Sequence, residues 1–110
     1  SQQNSGVINT YNTTNDTGSM LELIDKLLSS LPEIQGVDAE EIENVKDDLE
    51  MVQEQLKTDN PKKNRIGKAL VGIKKFAGDF SMKLAVTLAA GAVTGADWGM
   101  LLQQLENFIR

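Results

Sequence analysis

Ile42-Glu43-Asn44-Val45-Lys46-Asp47-Asp48-Leu49-Glu50-Met51-Val52-Gln53-Glu54-Gln55-Leu56-Lys57-Thr58-Asp59-Asn60-Pro61, continuing into Lys62-Lys63-Asn64-Arg65-Ile66-Gly67-Lys68-Ala69-Leu70-Val71-Gly72-Ile73-Lys74-Lys75-Phe76-Ala77, is the stretch that decides the fold. Before the Asn-Pro corner, Ile42, Val45, Leu49, Val52 and Leu56 recur in steps of three and four. After it, Ile66, Leu70, Ile73, Ala77, Phe80 and Leu84 do the same. That spacing places each set on one side of a helix. Two apolar stripes joined by a short turn predict an antiparallel helical hairpin over residues 38–80. The first helix is acidic on its other faces, and the second is basic.

The remaining chain extends this hairpin. Ser19-Met20-Leu21-Glu22 has the form of a capping box. It opens a helix carrying Leu21, Ile24, Leu27, Leu28 and Leu31 that stops at Pro32. Asp38-Ala39-Glu40-Glu41 is a second capping box, at the head of the acidic helix, which is expected to reach about Lys57. Asn60 reads as the N-cap of the basic helix, with Pro61 at its first position. From Leu84 to Ala96 no residue is charged. This run is apolar all round and shorter than the ~20 residues of a membrane span, so it reads as a central buried helix. Asp97 then caps a last helix with Trp98, Leu101, Leu102, Leu105, Phe108 and Ile109 on its apolar face. The expected fold is all-α: a compact bundle of four to five helices over 19–110, preceded by a leader over 1–18.

The leader differs in kind. Residues 4–15 are uncharged and rich in Asn and Thr. Such composition suits a disordered segment, or a strand that forms when copies meet. Val7, Ile8 and Tyr11 are its candidate self-association residues. Met51, opposite the acidic helix's apolar stripe, is a fourth.

Composition narrows the chemistry. In 110 residues there is no cysteine and no histidine, and the net charge is −5. Disulfides, thiol nucleophiles, the usual zinc sites and imidazole acid–base chemistry are removed together. The carboxylates of the acidic helix (Glu40, Glu41, Glu43, Asp47, Asp48, Glu50, Glu54) lie off its apolar stripe and read as a solvated face. No Ser-x-x-Lys motif and no phosphate loop occurs. An enzyme is not expected, and neither is a cofactor, metal or small-molecule substrate. The expected compartment is cytoplasmic.

Between Pro61 and Lys83 there are seven cations against one acid, Asp79. Lys62, Lys63, Arg65, Lys68, Lys74 and Lys75, with Phe76, are the candidate membrane or partner contacts. One reading has the cations facing the acidic helix across the hairpin and fixing which helices pair. A second has a cationic amphipathic helix lying in an anionic bilayer, backed by the apolar run after it. Nucleic acid is disfavoured by the acidic whole and by the scarcity of aromatic residues.

In architecture, the Asn/Gly-rich leader, acidic helix, Asn-Pro-Lys-Lys turn and Gly/Ala-rich apolar run resemble small uncharacterised helical modules of bacterial conflict and phage-defence proteins. In some of these, short Asn/Gly-containing segments act as amyloid-type signalling motifs. The resemblance spans the whole chain and carries over no functional residue. It implies an oligomerising part of a defence or signalling protein. The leading expectation is thus a non-catalytic module that binds itself or another protein, with a membrane-active effector as the alternative.

Overall fold

The computed structural model describes residues 17–110, so the leader candidates Val7, Ile8 and Tyr11 lie outside the described residues. Four helices carry most of the described chain: α1 (Thr17–Ser30), α2 (Ala39–Lys57), α3 (Lys63–Asp79) and α4 (Gly95–Ile109). A small antiparallel sheet of β1 (Val86–Leu88) and β2 (Gly91–Val93) separates α3 from α4. The expected helical class therefore holds coarsely, with a sheet added. Helix α1 packs on α2 and α4, and α3 packs on α2 and α4, so the four enclose one apolar interior.

The apolar stripes turn inward as their spacing requires. Val45, Leu49, Val52 and Leu56 of α2 are buried, as are Ile66, Ala69, Leu70, Ile73 and Phe76 of α3. They meet Met20, Ile24 and Leu27 of α1 and Trp98, Leu101 and Leu105 of α4. The Phe76 ring lies 5.1 Å from Phe80 and 5.4 Å from Trp98, centroid to centroid. These separations suit tilted aromatic packing.

The connections differ from their expected capping. Asp38 sits at the N-cap of α2 without a side-chain capping bond. The N-cap of α3 is Lys62, two residues past Asn60. Gln55 ties that corner together. Its carbonyl accepts from both the amide and the hydroxyl of Thr58, and its side-chain oxygen accepts from the Lys62 amide at 2.8 Å. Thr94, rather than Asp97, caps α4: its hydroxyl accepts from the Ala96 amide, while the Asp97 carboxylate accepts from the Thr94 amide at 3.0 Å. Helix α1 begins at Thr17, so Ser19 falls within its first turn. Between α1 and α2, Gly36 takes a φ of 79°, a left-handed conformation that suits glycine.

The largest departure is residues 84–96. Residues 86–93 form the β-hairpin and Gly95 and Ala96 open α4, so no buried helix fills this run. Leu84 and Val93 are buried and Val86 and Leu88 half-buried, while Ala85, Thr87, Ala89, Ala90 and Ala92 are exposed. Val86 pairs with Val93 and Leu88 with Gly91, across a two-residue turn at Ala89-Ala90. The side chains alternate in and out with period two, so only one face of this stretch meets the α1 side of the core.

Neighbouring substitutions test this arrangement. Ala92→Lys is expected to change stability by less than about 1 kcal/mol, since its side chain faces water. Val93→Asp places an unpaired carboxylate in the core and is expected to cost several kcal/mol or to prevent folding. Urea titration followed by circular dichroism compares them. Equal, severe losses at both positions would instead fit a helix buried all round.

Candidate functional site

The outer surface of α2 and α3 gathers most of the candidate residues. The two helices run antiparallel, as the grooves along their seam show. Asp47, Asp48 and Met51 of α2 line one groove of about 430 Å³ with Arg65, Lys68 and Ala69 of α3. A second, of about 340 Å³, continues along the seam and is lined by Glu41, Asn44 and Asp48 opposite Gly72, Lys75 and Asp79. Met51 is therefore level with Arg65 and Lys68, Asp48 with Gly72, and Glu41 with Lys75 and Asp79. Rising numbers on one helix meet falling numbers on the other.

Asp48 joins the two grooves. Its carboxylate lies over Gly72, where Oδ2 occupies the space a β-carbon would need. The missing side chain at residue 72 is what admits it. Partial burial, and secondarily the charge of Asp47, push the Asp48 carboxyl above its ordinary value near 3.8.

The cations do not close ion pairs across the hairpin. Lys75 donates to Asp79 at 2.9 Å, one turn along its own helix. That hydrogen bond and the Asp79 charge hold the Lys75 ammonium above its usual range, with a smaller push from Glu41. Lys74 leaves this surface and meets Glu106 of α4 at 3.4 Å. Lys26 of α1 meets Asp97 of α4 at 3.7 Å. Among the described residues no ion pair links α2 to α3, so the opposed charges approach through shared grooves rather than direct contact. Lys62, Lys63, Arg65 and Lys68 are all exposed.

Phe76 is not a contact residue. It is 4% exposed and stacks in the core against Trp98, so it leaves the candidate set. The apolar residues that a bilayer-lying α3 would insert (Ile66, Leu70, Ile73 and Phe76) are all occupied in the interior. The apolar run that was to stand behind them is the β-hairpin. No helix among the described residues is long and apolar enough to cross a membrane. Met51 does reach the surface, at 37% exposure.

Val71 is a residue that stripe reading passes over. It is 67% exposed on the outward side of α3, between Lys68 and Lys75. The signal was available, because a valine three and four residues from lysines sits on the charged side of the helix. Its surroundings, rather than its type, make it informative. Among the described residues, no group of three or more His, Cys, Asp and Glu is placed to hold a metal ion.

Two outcomes follow from the Asp48–Gly72 contact. Gly72→Ala alone should gain less than the about 1 kcal/mol that alanine returns in an open helix, because its methyl meets the Asp48 carboxylate. In an Asp48→Ala background the gain should be recovered, as a double-mutant cycle in urea would measure. Equal gains in both backgrounds would deny the contact. The second outcome concerns pH. A carboxyl raised in the folded state binds more protons there, so its penalty is absent below the ordinary value and complete above the raised one. Asp48→Asn should therefore gain on the native chain as pH climbs from about 3 towards neutrality. Unfolding midpoints at several pH values check this, and an advantage that shrinks with rising pH would reverse the assignment.

No known family model matches the chain, and neither a curated protein nor a solved structure resembles it significantly.

Proposed function

We propose that this chain is a non-catalytic module for protein–protein interaction and self-association, with the outer surface of α2 and α3 as its contact face. The observation that supports this reading is the exposure of Met51 and Val71, at 37% and 67%, among charged side chains. Single exposed apolar residues are common on any protein. Here two lie on adjacent helices, each set beside charges that are not paired across the seam. An apolar centre with a charged surround is how interaction surfaces are commonly arranged. The residues around it act by contact: Arg65, Lys68 and Lys75 on α3, and Asp47 and Glu54 on α2. The reading requires no small-molecule substrate and no cofactor.

Sedimentation of the full chain tests it. Mass should rise with concentration, and a Met51→Gln/Val71→Gln variant should need roughly tenfold more protein to reach the same mass, a modest loss for two truncated contacts. A monomer at every concentration would overturn self-association.

A further inference from the structure

We infer that the partner for this face is a second copy of the same chain, docked about a two-fold axis running along the α2–α3 seam. The inference rests on the interaction reading above and names its occupant. It begins from how charge is divided between the two helices.

On α2 the exposed acids Glu40, Glu43, Asp47, Glu50 and Glu54 outnumber the exposed lysines Lys46 and Lys57. On α3 the exposed cations Lys63, Arg65, Lys68, Lys74 and Lys75 outnumber the exposed acid Asp79, and Val71 stands exposed among them. One face thus carries a negative rod beside a positive rod. A two-fold rotation about their shared seam lays the second copy's α2 over the first copy's α3, and the reverse. Because that axis is parallel to the helices, it preserves levels along them. The seam grooves set Met51 level with Arg65 and Lys68, and Glu41 level with Lys75. Glu54 of one copy, one turn beyond Met51, is then brought towards Arg65 of the other. Asp47, one turn before Met51, falls between the levels of Lys68 and Lys75. Both Met51 and Val71 lie near the middle of this arrangement, where water is most easily excluded.

Alternative dockings lose this match. Helix α2 against its own copy opposes acid to acid, and α3 against α3 opposes cation to cation; such like-charge juxtaposition is costly. Two-fold symmetry also closes the assembly, since each match is made twice and no complementary face is left over. Within one molecule Lys75 is held by Asp79, whereas Arg65, Lys68, Asp47 and Glu54 enter no ion pair among the described residues.

Charge exchange tests the geometry on the full chain. One variant carries Arg65→Glu and Lys68→Glu, reversing the cations that Glu54 and Asp47 of the other copy meet. Another carries Asp47→Lys and Glu54→Lys, reversing the acids that Lys68 and Arg65 of the other copy meet. All four positions are exposed, and circular dichroism of each variant establishes that it folds. Each variant alone should dimerise at least about tenfold more weakly than the native chain, as like charges meet. Mixed in equal amounts, the two should form a heterodimer, since position 54 against 65 and position 47 against 68 are again of opposite sign. A single chain carrying all four substitutions should recover homodimerisation, and added salt should weaken native dimer and heterodimer together. Dimerisation by either variant at native strength would overturn the inference, as would failure of the mixture and the four-substitution chain to associate. In the first case, self-association stands and only this face is excluded. A native chain that is monomeric throughout would remove the inference and the reading beneath it alike.

Discussion

One helix has to satisfy two neighbours at once, and most of the architecture follows from that. Helix α3 packs on α2 along one flank and on α4 along the other. Its buried residues (Ile66, Ala69, Leu70, Ile73 and Phe76) therefore occupy a wider arc than a two-helix seam would need. Phe76 reaches furthest, bringing its ring to Trp98 of α4. A helix engaged on both flanks has only a narrow outward strip left. On α3 that strip includes Arg65, Lys68, Val71 and Lys75.

The seam between α2 and α3 is held by shape and apolar burial more than by charge. Opposite charges on facing helices suggest ion pairs, yet the nearest partners lie elsewhere: Asp79 for Lys75, and Glu106 for Lys74. Exposed pairs of this kind contribute little individually. What brings the helices close at mid-seam is Gly72, whose bare α-carbon admits the Asp48 carboxylate. The consequence is a carboxyl partly removed from water beside a second acid, Asp47, which disfavours its charged form. Closeness is achieved there at some electrostatic cost, offset by the buried row of Val45, Leu49 and Val52 behind it.

The helices were legible because their periodicity is long and consistent. The stripes predict every buried position on α2 and α4, including Leu49 and Trp98, but on α3 they find Ile66, Leu70 and Ile73 and miss Ala69 and Phe76. Residues 84–96 were not legible for a particular reason. Leu84, Val86 and Leu88 alternate with Ala85 and Thr87, a two-residue period that was present but hidden. Alanine counts as apolar while being small enough to stand in water, so the outward positions looked buried. The turn at Ala89-Ala90 also lacks the Asn-Gly or Asp-Gly signals that usually mark a hairpin. Capping failed similarly at Asp38 and Asn60, where residues able to cap were present and the backbone was secured otherwise. At the start of α3 it was Gln55, reaching across from the preceding helix, that received the free amide. Of the candidate surface, the lysines and Met51 followed from the wheel. Phe76 was misplaced because it borders the lysine side, and only the position of α4 shows that a partner waits there.

Those same constraints bear on the self-complementary face proposed for α2 and α3. A consecutive acidic and basic helix is a natural way to favour one pairing of helices while the chain folds, since like-charged alternatives are repelled. Once the core has formed, however, the stripes face inward and the charges remain on the outside, with no ion pair between α2 and α3 among the described residues. A surface divided lengthwise into a negative half and a positive half is complementary to its own image after a half-turn. The charge pattern that discriminates among helices within one molecule would then discriminate among docking modes between two, with Met51 and Val71 supplying the apolar contact that charge alone does not.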